Sequence, residues 1–405
     1  MKRVRTTKET LGDSRKRSKK HDETHSFPFI PQDLIVQILL NVPARSTARF
    51  VIVSKEWFSI IRSKDFTRLY LTRSSTRPRL LFSVYNHFHR QGKQFLQSFF
   101  QQDPSSDHHQ RVYITSHHSH LYGFSPPVRG LICRKCGTNV IIGNPSTGQF
   151  LPLPRVKTYR RGLFTFFGYD PVNDVYKVLC MTVLHGHQRR GSRYVSEEHQ
   201  VFTLGAKQKW RMIKCKRSHL PPPYTRGICI NGVVHYFAWI EYAAYLVRFD
   251  LSSEDFSFIK LPQEIECLVN YNGKIALTKQ CMSNSKLDIW VLEDASKGIW
   301  SKFSVLVPSW TDLVGNNDFV FRGTLSTGEL IFAPLSVSPI SPVYLISFNL
   351  NDNNAKKVLV EGLGDLLSLS RSLFGSCRQS YVSVRCKKNH LVMRAFRFVL
   401  RADKF

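Results

Sequence analysis

No segment of the 405-residue chain is apolar for long enough to cross a bilayer; the most apolar window, Tyr236 to Val247, is short and broken by Glu241. The basic N-terminus does not lead into the apolar core of a secretory signal, because polar residues follow it. No Gly-rich phosphate loop ending in Lys-Ser or Lys-Thr is present, nor a nucleophile elbow, and no acid/base pair can be nominated. The expectation is a chain without catalytic residues and without a cofactor. Nine cysteines, an odd number at no framework spacing, read as reduced thiols of the cytosol or nucleus. Acidic side chains are scarce, 29 against 58 Lys and Arg, which leaves a net charge of +29. Such a surface favours an acidic partner or nonspecific contact with nucleic acid.

The basic excess is spread along the chain. Residues 1–26 hold nine Lys or Arg and four acids, a surplus of five, so 24 net positive charges belong to the remainder. That N-terminal stretch lacks apolar periodicity and is expected to be a disordered tail. Within it, Arg15, Lys16, Arg17, Lys19 and Lys20 form a cluster of the kind read as a nuclear import address, which gives nucleus and/or cytoplasm as the expected location. The aromatic content (29 Phe, 15 Tyr and 6 Trp) indicates that the rest folds around a substantial core.

Metal-like spacings occur twice and neither is nominated as a site. His108, His109, His117, His118 and His120 lie in a polar loop with no neighbouring cysteine. Cys133 and Cys136 have no second pair at a zinc-ribbon distance and read as a buried strand cysteine and a turn cysteine. Asp170 and Asp174 flank a Pro-Val-Asn turn, where aspartates bond their own backbone. Basic and aromatic residues interleave from Tyr159 to Phe167, a pattern that suits nucleic-acid stacking but that alternating strand faces also produce.

The most informative stretch is Phe27 to Thr72. Leu34, Ile35, Ile38, Leu39 and Val42 recur at helical spacing behind Pro31, which suits a first turn. Ser46 is read as the cap of a second short helix reaching towards Val53, and Ser54 as the cap of a third over Lys55 to Arg62. A last amphipathic turn holds Leu69 and Tyr70. A bundle this small gains its remaining stability by docking an apolar face on a partner.

At these residues the stretch resembles the F-box. Ile30-Pro31 opens it, the pairs Leu34-Ile35 and Ile38-Leu39 follow, and Val42-Pro43 gives the second apolar-proline step. Arg49-Phe50, then Val53, Ser54, Lys55 and Trp57, and finally Phe66 complete the match; Ile30 departs from the commoner leucine but keeps a branched apolar side chain.

From Val128 onward the pattern is strand and turn, and it repeats. Asn231-Gly232 and Asn272-Gly273 each separate two apolar runs, as a type I′ hairpin requires, and Phe321 to Phe332 repeats the unit through Ser326-Thr327-Gly328. A second kind of hairpin recurs at 141–152, 201–213, 246–262, 287–303 and 344–360. Taking Asn144, Leu204, Leu251, Leu292 and Leu350 as equivalent, the steps are 60, 47, 41 and 58 residues. Four strands per unit of about 50 residues is a kelch-like propeller period. Six blades are expected, with seven, or an open pair of β-sandwich sheets, as alternatives. Strands at 380–386 and 391–399 are expected to pair with Leu80 to Tyr85 and close the ring.

This part resembles the F-box-associated domain of plant F-box proteins, at Arg129-Gly130-Leu131-Ile132-Cys133, Asn144-Pro145-Ser146-Thr147-Gly148, Phe167-Gly168-Tyr169-Asp170 with Asp174 to Val178, and Phe249-Asp250-Leu251. The expected organisation is α+β and multidomain. A disordered tail (1–26) precedes the F-box (27–73), a connecting segment with the first strands (74–127) and a mostly antiparallel β-propeller (128–405).

The two resemblances imply a non-catalytic substrate receptor of an SCF-type ubiquitin ligase. Ile30, Pro31, Leu34, Ile35, Ile38, Leu39, Val42, Pro43, Val53 and Trp57 would face a Skp-type adaptor, and through it cullin. The β domain would hold a target protein, and the basic charge favours an acidic one. The alternative from another class is a basic nuclear propeller that binds nucleic acid or acidic proteins without assembling a ligase.

Overall fold

The computed structural model describes residues 30–75, 79–86, 93–100, 110–114, 124–158, 162–183, 196–205, 209–222, 225–241, 243–262, 267–281, 285–325, 327–334, 342–360 and 394–398. Four helices come first: α1 (Gln32–Asn41), α2 (Ala44–Phe50), α3 (Lys55–Arg62) and α4 (Lys64–Ser75). The carbonyl of Pro31 accepts from the amides of Leu34 and Ile35 and starts α1. Ser54 caps α3 as its position suggests, its hydroxyl accepting from the Trp57 amide at 3.1 Å.

Two expectations are corrected here. Ser46 is not the cap of α2. The helix begins two residues earlier, because Pro43 holds the extended entry conformation and its carbonyl accepts from the Ser46 and Thr47 amides. The last amphipathic turn is instead a 12-residue helix. Ser63 caps it through the Phe66 amide at 3.1 Å, and Phe66 and Tyr70, one turn apart, are both buried.

The four helices share one small core of Ile35, Leu39, Ile60, Phe66 and Tyr70. Phe50 and Trp57 pack edge to face against it with ring centroids 5.4 Å apart. Tyr70 ties the module together by donating to the Val42 carbonyl at 2.8 Å. Its phenol pKa is pushed up to about 12 by burial, partly offset by a hydrogen bond with Thr47.

The rest is a ring of six antiparallel sheets. Blade 1 pairs β1 (Arg79–Asn86), β2 (Lys93–Phe100) and β3 (Gln110–Ile114) with the C-terminal β23 (Arg394–Phe398), which lies beside β1. Blade 2 is β4 (Ile132–Cys136), β5 (Asn139–Asn144) and β6 (Gln149–Pro152), with a single bridge from Phe124 to Arg134 standing for the inner strand. Blade 3 is β7 (Gly162–Asp170), β8 (Val175–Val183), β9 (Ser196–Thr203) and β10 (Arg211–Ile213). Blade 4 is β11 (Ile228–Ile230), β12 (Val233–Ile240), β13 (Ala243–Asp250) and β14 (Phe256–Lys260). Blade 5 is β15 (Cys267–Tyr271), β16 (Lys274–Cys281), β17 (Lys286–Asp294) and β18 (Ile299–Leu306). After the short α5 (Trp310–Val314), blade 6 is β19 (Phe319–Thr324), β20 (Leu330–Pro334), β21 (Val343–Asn349) and β22 (Asn354–Val360).

Six blades is thus the count, and the first blade is shared between the two ends of the chain. The stretch 74–127, expected as a connection carrying the first strands, supplies three of that blade's four. β23 covers the edge that β1 would otherwise leave open. The other expected closing strand, 380–386, lies outside the described residues.

Apolar clusters fill the spaces between blades all the way round. Leu81, Leu96, Phe124 and Ile132 join blades 1 and 2, and Cys133, Ile142, Phe167 and Val178 join 2 and 3. Phe166, Tyr236 and Phe249 join 3 and 4, and Leu246, Ile259 and Ile275 join 4 and 5. Ile289, Phe321 and Phe348 join 5 and 6, and Phe82, Phe99 and Leu345 close 6 on 1. Strands such as β8 and β20 therefore bury both faces, which explains why Val178 to Val183 on β8 is apolar or small without interruption, while outer strands such as β18 and β22 keep many side chains in solvent. The two Asn-Gly hairpins turn with φ of 48° and 81° at Asn231-Gly232 and 48° and 84° at Asn272-Gly273, both residues left-handed as a type I′ turn demands.

Candidate functional site: an apolar face on the helical module

α1 carries two apolar stripes side by side. Ile35 and Leu39, one turn apart, point into the module and are 2% and 0% exposed. Leu34 and Ile38, one residue earlier in each pair, remain 53% and 46% exposed. Ile30 ahead of the helix and Val53 in the turn before Ser54 are also about half exposed, and Pro31 and Pro43 lie on the surface. Of the sequence-derived docking residues these six are available to a partner. Ile35 and Leu39 are not; they are core, because a helix resting on its neighbours must bury one of two adjacent apolar positions. Val42 and Trp57 are half-buried, Trp57 against Phe50.

Sequence reasoning missed Ile52, 90% exposed, and Phe58, 44% exposed. The signal was there in Val51-Ile52-Val53, three consecutive apolar residues in a turn that cannot all face one core. Burying an apolar side chain of this size contributes about 1.5–3 kcal/mol, so even a few of these residues make a strong contact surface.

The module meets the propeller where α4 approaches blades 2 and 3. Lys64 Nζ lies 3.8 Å from an Asp174 carboxylate oxygen, both groups well exposed. Asp174, at φ 53°, accepts from the Tyr169 hydroxyl at 2.5 Å, and the Arg129 guanidinium lies over the Tyr169 ring at 3.9 Å. A cavity of about 340 Å³ opens between these residues and Leu151, Leu153, Phe202 and Leu204.

Inside the ring, Asp170 and Lys177 form a second cluster. Asp170 is fully buried and accepts from the amides of Val172 and Asn173 at 3.0 and 3.2 Å, the local bonding expected of an aspartate at this turn. The Lys177 ammonium lies 3.4 Å from Asp170 and 3.1 Å from Glu254 and donates to the Leu251 carbonyl, so it fastens blade 3 to the β13–β14 turn of blade 4. Arg211 closes the group with hydrogen bonds of 2.7 Å to both Glu254 oxygens. Burial raises the pKa of Asp170, but the hydrogen bonds from Asn173, Lys177 and Val172 outweigh it and leave the carboxyl below its usual value. Glu254 is lowered in the same way, with Arg211 and Lys177 overcoming burial. The resemblance motifs around Asp170, Lys177 and Leu251 thus describe a structural clamp.

Other sequence candidates resolve plainly. Cys133 is buried in β4, and burial pushes its thiol up. Phe166 and Phe167 are packed between blades and turn no ring outward for a base to stack on. The histidines at 108–120 and the basic cluster at 15–20 lie outside the described residues. One grouping had not been anticipated: His199, Cys215 and His219 bring their ligand atoms within 4.8 Å of one another.

Comparison with known proteins agrees with this architecture. Residues 27–69 match the F-box domain and residues 79–387 the F-box associated beta propeller domain. An F-box/kelch-repeat protein of Arabidopsis thaliana is 46% identical over 369 residues, 87% of this chain and 93% of that protein. The F-box protein DOR of the same plant is 34% identical, covering 84% of this chain and 90% of its own. Among solved structures, TolB from Acinetobacter baumannii aligns over 75% of this chain and 70% of its own at 12% identity and a TM-score of 0.41, too distant to bear on function. With an F-box on its helices and the associated propeller over most of its length, the chain belongs to the F-box proteins that carry an F-box-associated β-propeller domain.

Proposed function

We propose that this chain is the substrate-recognition subunit of an SCF-type ubiquitin ligase. The observation that supports this reading is the split of α1 into a buried stripe, Ile35 and Leu39, and an exposed one, Leu34 and Ile38. A small helical module that leaves Ile30, Leu34, Ile38, Ile52, Val53, Phe58 and Leu69 in water is built to be completed by a partner. F-box domains bind Skp-type adaptors, and the exposed residues Ile30, Pro31, Leu34, Ile38, Pro43 and Val53 form the docking face for that adaptor and, through it, cullin.

The chain performs no covalent step in this reading. The propeller holds a target protein, and the recruited conjugating enzyme acts on the target's lysines at raised effective concentration. A net charge of +29 favours an acidic target. The chain works in the nucleus, the cytoplasm or both, with Arg15 to Lys20 as the import address.

The test is co-elution of the intact chain with purified Skp-type adaptor on size exclusion, compared with the double variant Leu34→Asp plus Ile38→Asp. Both residues are exposed, so the variant folds. A complex with the intact chain and none with the variant supports docking through this face, whereas an intact, folded chain that never co-elutes with the adaptor refutes it.

A further inference from the structure

Behind β10 the chain runs across the outer edge of blade 3 and presents Cys215 and His219 to His199 on β9. His199 and His219 are 3% and 1% exposed, and Cys215 is half-buried at the solvent side. His219 Nδ1 is 3.8 Å from Cys215 Sγ and 3.0 Å from the Arg217 carbonyl oxygen, and Sγ is 3.1 Å from that same oxygen. The point equidistant from the corners of a triangle with these three sides is about 2.0 Å from each, close to the bond length of zinc to nitrogen or oxygen, and Zn–S at about 2.3 Å needs only a small shift. His199 supplies the remaining imidazole: its donor nitrogen lies within 4.8 Å of those of Cys215 and His219 and closes inward when the ion binds.

We propose that His199, Cys215 and His219, with the Arg217 carbonyl as a fourth donor, bind Zn2+. The ligand set of two imidazoles and one thiolate suits this ion. The surroundings are those of a metal site as well. His219 Nε2 is 2.8 Å from the Tyr236 hydroxyl, which in turn donates to Met181 Sδ at 3.6 Å. With zinc on Nδ1, the imidazole proton moves to Nε2 and is donated to Tyr236, which fixes the ring as outer partners of metal-bound histidines do. Phe256 and Phe258 wall the site, with ring centroids 5.2–5.8 Å from the two imidazoles. Burial favours the neutral form of both imidazoles, the form that binds a metal ion, with the neighbouring His219 adding to the effect at His199. Burial raises the Cys215 thiol, so binding forms the Zn–S bond, releases one thiol proton to solvent and tightens as pH rises.

The experiment uses the reduced, full-length chain, stripped with a chelator and titrated with Co2+ as a spectroscopic stand-in. A thiolate-to-cobalt charge-transfer band saturating at a single equivalent, and bleached by Zn2+, is expected. The band is lost in Cys215→Ser and retained in Cys267→Ser, a half-buried thiol on blade 5. If Cys215→Ser fails to fold, His199→Gln serves: it keeps the thiolate band but binds Co2+ at least about 10-fold more weakly. A folded wild-type chain that develops no band, a band that survives Cys215→Ser, or an unchanged affinity in His199→Gln overturns the assignment and leaves a purely hydrogen-bonded cluster.

Discussion

Replacing Lys177 by Met tests the clamp between blades 3 and 4. The ammonium is 8% exposed and is shared by Asp170, itself fully buried, and Glu254. Methionine fills similar space but leaves the Asp170 carboxylate in a low-dielectric pocket with only two amides and Asn173 for company. Breaking a buried pair on one side costs about 3–5 kcal/mol, because the stranded charge keeps its desolvation penalty. At roughly 2 °C per kcal/mol for a domain of this size, the melting temperature falls by about 6–10 °C. Adding Asp170→Asn removes the stranded charge and restores much of the loss, a coupling that a double-mutant cycle in differential scanning calorimetry reads directly. A Lys177→Met chain that melts within about 2 °C of wild type, or a double variant less stable than the single, refutes the clamp.

Three further outcomes follow from the same structure. Ser54→Ala removes the cap on α3 and costs the helical module about 1 kcal/mol, measurable by urea denaturation followed by circular dichroism at the helical band, to which the β domain contributes little. Gly168→Ala places a methyl 2.5 Å from Leu251 Cδ1, 2.8 Å from Val234 Cγ2 and 2.9 Å from Cys229 Sγ, and overpacking of this kind costs about 1–3 kcal/mol in a thermal melt. His235 has its pKa lowered to about 4 by burial and by the Arg248 charge. The unfolded chain therefore takes up the proton first, and the stability this group contributes is full above pH 6.5 and is lost as pH falls from there towards 4, by about 3 kcal/mol in all. His235→Gln flattens that part of the pH profile of the melting temperature.

The sequence made local features legible and left long-range ones dark. Asn231-Gly232 and Asn272-Gly273 announce their hairpins because only a few residue types accept two successive left-handed conformations. The N-cap at Ser54 is equally local. In contrast, Leu34-Ile35 and Ile38-Leu39 each offer two adjacent apolar residues at the same helical spacing, and only the packing of α4 decides which of each pair is core and which is surface. Ser46 looked like a cap because its hydroxyl has the right chemistry, yet Pro43 already set the start of the helix. The Lys177–Glu254 contact spans 77 residues, and His219 reaches His199 through the segment that follows β10, so neither leaves a periodic trace in the sequence. Cys215 and His219 stand four residues apart, a spacing that signals a metal site only beside a third donor, and the fold brings that donor, His199, from β9.

Docking through the exposed stripe of α1 is tested most directly by calorimetric titration of the full-length chain with purified Skp-type adaptor at low and high salt. Apolar burial at Leu34 and Ile38 makes the affinity nearly independent of salt, and Leu34→Asp plus Ile38→Asp lowers it by at least about 100-fold, as the loss of two buried side chains requires. An affinity that collapses as salt rises, or one that the double variant leaves intact, would show that the basic surface and not the apolar face holds the partner.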